Sequence, residues 1–313
     1  MAVPSNVHSA PGFQSEVVRL IASIVPKKRS QRFFCSRATL NKIKPVFFGF
    51  IAGWGVLIIL WLELFASAQE PAPNFTADRP GLGSTSFVIP QGYVQIETGV
   101  SFQRASGAAI LENLLLTEED QKGSRTILAV PNNLFRIGIL EAIEFRLFAG
   151  EYVHEEDGVD GISPLIMGTK IGLTKEERWI PQTAFFIELT LPVGSERLRP
   201  DDVTPEFRMA GNYTIGDRLS WECNLGVGWE DGFNDITGFY TTALGFALID
   251  ELGIFTEFFG TMNGESTHGF DGGISYLIRP TVQLDVFGGP GLTDAAPDWF
   301  VTAGISFRLP QLW

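Results

Sequence analysis

Between Leu219 and Glu230 the chain changes character at every step. Leu219, Trp221, Cys223, Leu225, Val227 and Trp229 alternate with Ser220, Glu222, Asn224, Gly226, Gly228 and Glu230. A period of two is the mark of an extended strand, whose successive side chains point to opposite faces. The same rhythm begins at Tyr93, where Val94, Ile96, Thr98, Val100 and Phe102 oppose Gln95, Glu97, Gly99, Ser101 and Gln103. It returns near the C-terminal end. There Ile274, Tyr276 and Ile278, then Val282, Leu284 and Val286, then Val301, Ala303, Ile305 and Phe307 make apolar rows, against rows that carry Asp285 and Arg308. One face is too apolar for water and the other is charged at mid-strand, a pairing that suits lipid on one side and a wet lumen on the other.

The links between these segments carry as much information as the strands. Short ones fall near residues 140–142, 174–178, 216–218, 250–251 and 279–280, and longer, polar ones lie between them, including EEDGVDG at 155–161 and the stretch 192–204. The stretch between the first two strands also holds a leucine-rich insert, 110–116. Antiparallel neighbours joined by short turns at one end and long loops at the other define the expected fold. It is all-β: an antiparallel up-and-down transmembrane β-barrel of about 12 strands, with short periplasmic turns and longer extracellular loops. The last strand must then pair with the first, near residues 93–103, because closure removes edges that strands this apolar would otherwise expose. A soluble periplasmic β-sandwich gives the same alternation with its polar face outward. Aromatic residues near strand ends (Tyr93, Trp179, Trp221, Trp229, Tyr240, Trp299) favour the membrane, as an interfacial girdle. Around Glu257 the aromatics Phe255, Phe258 and Phe259 occupy both faces, and the pattern there does not separate inside from outside.

Charge divides the chain unevenly. The first 68 residues hold eight Lys/Arg against Glu16 and Glu63, a surplus of six, which leaves −19 for the remainder of a chain whose net charge is −13. Lys27, Lys28, Arg29, Arg32, Arg37, Lys42 and Lys44 precede an apolar run over 46–65, then Ala66-Ser67-Ala68. Basic, apolar and small residues in that order read as a secretory signal peptide over 1–68, with a long basic n-region that a misplaced start codon would explain. A transmembrane helix is the alternative reading of the run, which approaches the span of about 20 residues. The expected organisation continues with a proline- and glycine-punctuated lead at 69–92, periplasmic or lumenal, a barrel over 93–309, and a tail at 310–313. The acidic remainder excludes nucleic acid as a partner, because it would repel phosphates.

The inward charges are the candidate functional residues: Glu97, Glu144, Arg146, Lys170, Glu188, Arg208, Glu222, Asp285 and Arg308. Such groups either set the selectivity of a narrow lumen, here in favour of cations, or stitch the wall together. No catalytic residue is assigned. His154 and His268 are the only histidines after residue 68, and no Gly-x-Ser-x-Gly elbow is present. The acidic loops at 155–160 and 230–235 lack EF-hand spacing, and Cys223 is the only cysteine after residue 68, so no metal and no cofactor is expected. The expected partners are outer-membrane lipid, the barrel-assembly machinery during biogenesis, and a small-molecule solute. A non-conducting structural barrel or an outer-membrane enzyme stands as the alternative.

Several short motifs carry a resemblance. Thr76-Ala-Asp-Arg-Pro-Gly81, Phe87-Val-Ile-Pro-Gln-Gly92 and Val94-Gln-Ile-Glu97 open it. The segment 219–226, with its Asn224-Leu-Gly226, continues it, and Gln283-Leu-Asp285, 289–292, Ala296-Pro-Asp298 and Gly304-Ile-Ser-Phe-Arg308 close it. Over 76–309 the chain resembles the outer-membrane transporter family linked to the MetA pathway of phenol degradation. The resemblance implies a barrel in the outer membrane of a Gram-negative (diderm) bacterium that passes small molecules, hydrophobic or aromatic ones among them. It brings no catalytic or binding residues. The chain departs from the family at 138–142, where a polar turn is usual, and at the added Pro310-Gln-Leu-Trp313.

Removal of the leader predicts Gln69 as the N-terminus of protein purified from outer membranes. Mass spectrometry of the N-terminal peptide checks this, and an intact Met1 terminus contradicts it.

Overall fold

The computed structural model describes residues 74–106, 124–156, 160–230, 232–233, 235–262 and 266–313. The expected leader 1–68, residues 69–73 of the lead, the leucine-rich insert 110–116 and parts of the loops near 157–159, 231–234 and 263–265 lie outside the described residues. The described residues contain fourteen strands in one sheet: β1 (Val94–Ser106), β2 (Ser124–Leu140), β3 (Ile143–Ala149), β4 (Tyr152–Glu155), β5 (Asp160–Ile162), β6 (Ile166–Thr174), β7 (Gln182–Thr190), β8 (Thr204–Ile215), β9 (Leu219–Glu230), β10 (Asp235–Ile249), β11 (Leu252–Met262), β12 (His268–Arg279), β13 (Val282–Pro290) and β14 (Trp299–Arg308).

Twelve of these close a cylinder in which each strand pairs antiparallel with its sequence neighbour, and β1 pairs with both β2 and β14. The seam runs from Gln95 opposite Arg308 to Arg104 opposite Trp299. The fold is therefore the closed antiparallel barrel of twelve strands, not a sandwich. The other two strands, β4 and β5, make a small hairpin that pairs with β2 through Ile127 opposite Glu155 and Val130 opposite Tyr152. Sequence pattern gave a plain acidic loop there, because strands of four and three residues are too short to show a period.

Burial runs opposite to that of a soluble protein. Leu225, Leu244, Ile274, Tyr276, Leu284, Val286 and Val301 are exposed, while Gln95, Glu97, Arg136, Glu144, Arg146 and Lys170 are buried. Charged residues are almost never fully buried without partners, so the polar face must look inward onto groups that satisfy it. The exposed face is a wall of Leu, Ile, Val and aromatic side chains that only hydrocarbon accommodates at this extent. Trp179 and Trp221 are exposed toward the short-turn end, and Trp299 toward the long-loop end, where it lies 5.6 Å from Phe102. The ambiguous β11 resolves cleanly. Glu257 is buried opposite Asp271 and Phe258 is exposed, which puts Phe255 and Phe259 on the lumen face with Glu257. Val282 departs from its expected apolar row: it is buried at the turn, opposite Arg279, where β12 shifts register.

Leu225, 60% exposed near the middle of β9, tests which face meets lipid. Leu225→Arg is expected to destabilise the folded barrel in bilayers by about 2–4 kcal/mol, the cost of a midplane charge. Denaturant titration in liposomes checks it; an unchanged midpoint would place this face in water.

Candidate functional site

Period-two geometry makes every second residue of each barrel strand a lumen residue, and the lumen is crossed by a segment with no secondary structure, residues 74–92. A buried backbone without a ladder must find partners elsewhere, and here the wall side chains supply them. Glu97 accepts hydrogen bonds from the amides of Asp78 (3.0 Å) and Arg79 (3.0 Å). Glu257 accepts from the amides of Leu82 (2.6 Å) and Gly83 (2.9 Å). Asn224, Asn212 and Glu144 accept in turn from the amides of Ser84, Ser86 and Ile89. Wall donors reach the segment's carbonyls: Gln95 to Thr76, Gln283 to Arg79, and both Arg136 and Lys170 to Phe87.

Asp78 and Arg79 anchor the segment. The Asp78 carboxylate meets Lys170 at 3.1 Å, Arg136 at 3.3 Å and Arg146 in a shorter contact, and it also accepts from the amide and hydroxyl of Thr85. Burial alone would raise the pKa of Asp78, but Arg136, Lys170 and Arg146 outweigh burial and hold it well below the usual carboxylate range. Arg79 grips Asp285 through two bonds, Nη2 to Oδ1 at 2.8 Å and Nε to Oδ2 at 3.2 Å, the fork-on-carboxylate geometry that lysine lacks. The seat for its guanidinium is made by Gly99 and Gly304, which face each other across the seam. A β-carbon at Gly99 would lie 2.9 Å from Arg79 Cζ, and one at Gly304 would clash with the same side chain. The wall is thus thinned to glycine where the inserted segment presses closest.

Around this anchor runs a continuous ion-pair ladder. Arg136 bonds Glu144 (2.7 Å) and Glu97 (2.9 Å). Arg146 bonds Glu188 (2.9 Å) and Glu144 (3.1 Å), and Arg208 bonds Glu188 (2.6 Å) and Glu206 (2.8 Å). Phe186, fully buried on β7, lies beneath Arg146, Lys170 and Arg208, whose charges sit 5.0–5.1 Å from its ring centre. The ring face attracts cations that have lost water. Of the candidate residues, Glu97, Glu144, Arg146, Lys170, Glu188 and Arg208 are joined in this network, and Asp285 enters through Arg79. Arg308 donates to Gln95 (3.0 Å) and to the Asn74 carbonyl (3.1 Å). Glu222 stands apart, accepting from Asn212 at 3.0 Å.

Six further charged lumen residues belong to the site: Asp78, Arg79, Arg136, Glu206, Glu257 and Asp271. Arg136 was within reach of the pattern, since it alternates with Leu134 against Phe135 and Ile137, and only the break at Pro131 hid the row. Asp78 and Arg79 lie in a segment with no period, so no pattern marks them. Four of the wall's basic groups gather on β2, β3, β6 and β8, and Arg308 stands on β14. Glu222, Glu257 and Asp271, on β9, β11 and β12, have no ion pair among the described residues. Charge is therefore separated across the lumen.

Between the segment and the long-loop end lies a cavity of about 130 Å³, whose walls include Gln103, Leu134, Phe148, Phe239, Phe259 and Phe300. The histidines lie outside this arrangement: His154 contacts Asp160 on the β4–β5 hairpin, and His268 meets the Tyr240 hydroxyl at 2.9 Å.

Comparison with known proteins agrees with this architecture. A sequence profile of the family described as "Putative MetA-pathway of phenol degradation" matches residues 77–309. Among curated proteins, no sequence match is found. A crystal structure of an outer membrane channel from Pseudomonas putida F1 superposes with a TM-score of 0.55 at 10% identity, covering 71% of this chain and 97% of that one. At that identity the likeness is one of fold. Two more distant barrels are the KdgM porin (TM-score 0.44, 10% identity, 68% of this chain and 98% of that chain) and the NanC porin (TM-score 0.43, 8% identity, 69% and 100%).

Arg136→Ala leaves Glu97 and Glu144 buried without their main partner, a change that costs about 3–5 kcal/mol at a buried pair. The expected outcome is a lower unfolding temperature, read from heat-modified gel mobility, together with faster proteolysis of residues 74–92. Arg136→Lys is expected to recover little, because one ammonium cannot serve both carboxylates and the Phe87 carbonyl. Wild-type behaviour of both variants would contradict the ladder's role.

Proposed function

The chain belongs to the family described as a MetA pathway of phenol degradation, and from that premise we propose that it is an outer-membrane channel for the passive passage of small molecules. Hydrophobic and aromatic compounds are among its solutes, and residues 74–92 set the width of the path. The observation that carries this reading is the nature of the lumen's contents. The inserted segment is held by amide–carboxylate bonds and ion pairs, with Asp78 and Arg79 at the centre, and not by an apolar core. Polar contacts of this kind exchange readily for water, whereas a packed apolar interior does not.

The lipid-facing wall supports residence in the outer membrane, with lipid and the barrel-assembly machinery as partners and with export by the leader over 1–68. No catalytic role is proposed, because the lumen's carboxylates and guanidinium groups are largely committed to one another. That commitment takes Glu97, Glu144 and Glu188 out of the count of carboxylates that bear on ion preference, since each faces a guanidinium. The depth of the same segment favours one second reading, a sealed barrel.

Planar-bilayer recording separates the two. Wild-type protein is expected to give small conductance steps, and the double variant Asp78→Asn/Arg79→Gln, which cuts the anchor, steps at least threefold larger. Heat-modifiable mobility confirms that both remain folded. No conductance from either folded protein would sink the channel reading in favour of the sealed barrel.

A further inference from the structure

The cavity above the inserted segment has a chemical polarity of its own. Its walls are largely rings and aliphatic carbons: Leu134, Phe148, Phe239, Phe259 and Phe300. Its carboxylates, Asp78 and Glu97, are spent. Both Asp78 oxygens accept from Thr85, Lys170 or Arg146, and both Glu97 oxygens accept from segment amides, with Arg136 and Gln95 adding to one of them. Its nitrogen donors are not spent. Among the lining residues Arg79 Nη1, Gln103 Nε2, Arg208 Nε and Asn224 Nδ2 are buried with no hydrogen-bond partner among the described residues. The orientation of the Asn224 amide is set from the far side, since its oxygen accepts from the Ser84 amide. Buried donors left unmade are costly, and a ligand that supplies acceptors recovers that cost.

Size narrows the choice. A cavity of about 130 Å³ is close to the roughly 150 Å³ that holds one benzene ring in an engineered protein interior. An apolar pocket with a few placed polar groups is the usual form of a small-molecule site. We infer that this cavity is a binding station for a single-ring aromatic carboxylate, with its ring among the phenylalanines and its carboxylate toward the side-chain N–H groups of Asn224 and Arg208, which stand on the neighbouring strands β9 and β8. The inference rests on the channel reading and deepens it: it names what pauses in the lumen.

Isothermal titration of the folded barrel in detergent tests it, with benzoate as the probe. Three controls share parts of its chemistry: benzylammonium has the ring with the opposite charge, cyclohexanecarboxylate has the acid on a bulkier saturated ring, and acetate has no ring. Saturable benzoate binding, at least tenfold tighter than any of the three, is the expected result. Asn224→Leu keeps side-chain size and removes the donor, and it is expected to weaken benzoate at least fivefold while heat-modifiable mobility persists. Should the variant fail to fold, the wild-type ranking alone decides. No saturable benzoate binding, or benzylammonium binding as tightly, overturns the inference. Solute flux into liposomes, measured on the same preparation, keeps the two readings apart. Flux without benzoate binding removes the station and leaves the channel, and binding without any flux removes the channel and leaves the site.

Discussion

A carboxylate taken out of bulk water must find positive charge and hydrogen-bond donors, and Asp78 finds both. Arg136, Arg146 and Lys170 converge on it from three strands, and the amide and hydroxyl of Thr85 complete its shell. The rest of the lumen depends on this meeting. It pins residues 74–92 inside the barrel, and it neutralises a cluster of cations that β2, β3 and β6 would otherwise hold against each other across adjacent strands. Neither partner set is complete alone. The segment lacks a ladder of its own, and without Asp78 the wall's Lys170 keeps only Glu144 as a carboxylate partner among the described residues, at 3.8 Å.

This arrangement inverts the usual order of a globular fold. Lipid hides the apolar surface, so the hydrophobic effect sets the orientation of the strands but contributes little inside the cylinder. What organises the interior is electrostatic and directional. Buried pairs of this kind add less net stability than their number suggests, because each ion gives up its hydration. Their value here is specificity: Arg79 fits one seat, between Gly99 and Gly304 and against Asp285.

Much of this is legible in the sequence. Two-faced strands such as β9, and the regular succession of short turns and long loops, specify a closed meander of about twelve strands, and the seam between β1 and β14 follows from closure. The inward charges were visible for the same reason: parity along a strand assigns a face. Legibility ended where parity ended. Pro131 interrupts the row that contains Arg136, the aromatics around Glu257 fill both faces of β11, and the segment bearing Asp78 and Arg79 has no period at all. What those residues do is decided by contacts between strands and between segment and wall, such as Arg79 with Asp285, 206 positions away, and no local pattern records them.

The central claim is that residues 74–92 lie inside the lumen, held by polar contacts with the wall. Ser86 is buried there, and its amide donates to Asn212 at 2.7 Å. Cysteines placed by Ser86→Cys and Asn212→Cys, with Cys223→Ser to remove the nearby thiol, measure this directly in isolated outer membranes. The account predicts that mild oxidation links the two positions within one chain, as mass spectrometry of the joined peptides would show. Free thiols at both positions after oxidation, each open to a bulky water-soluble reagent, would place the segment outside the barrel and contradict it.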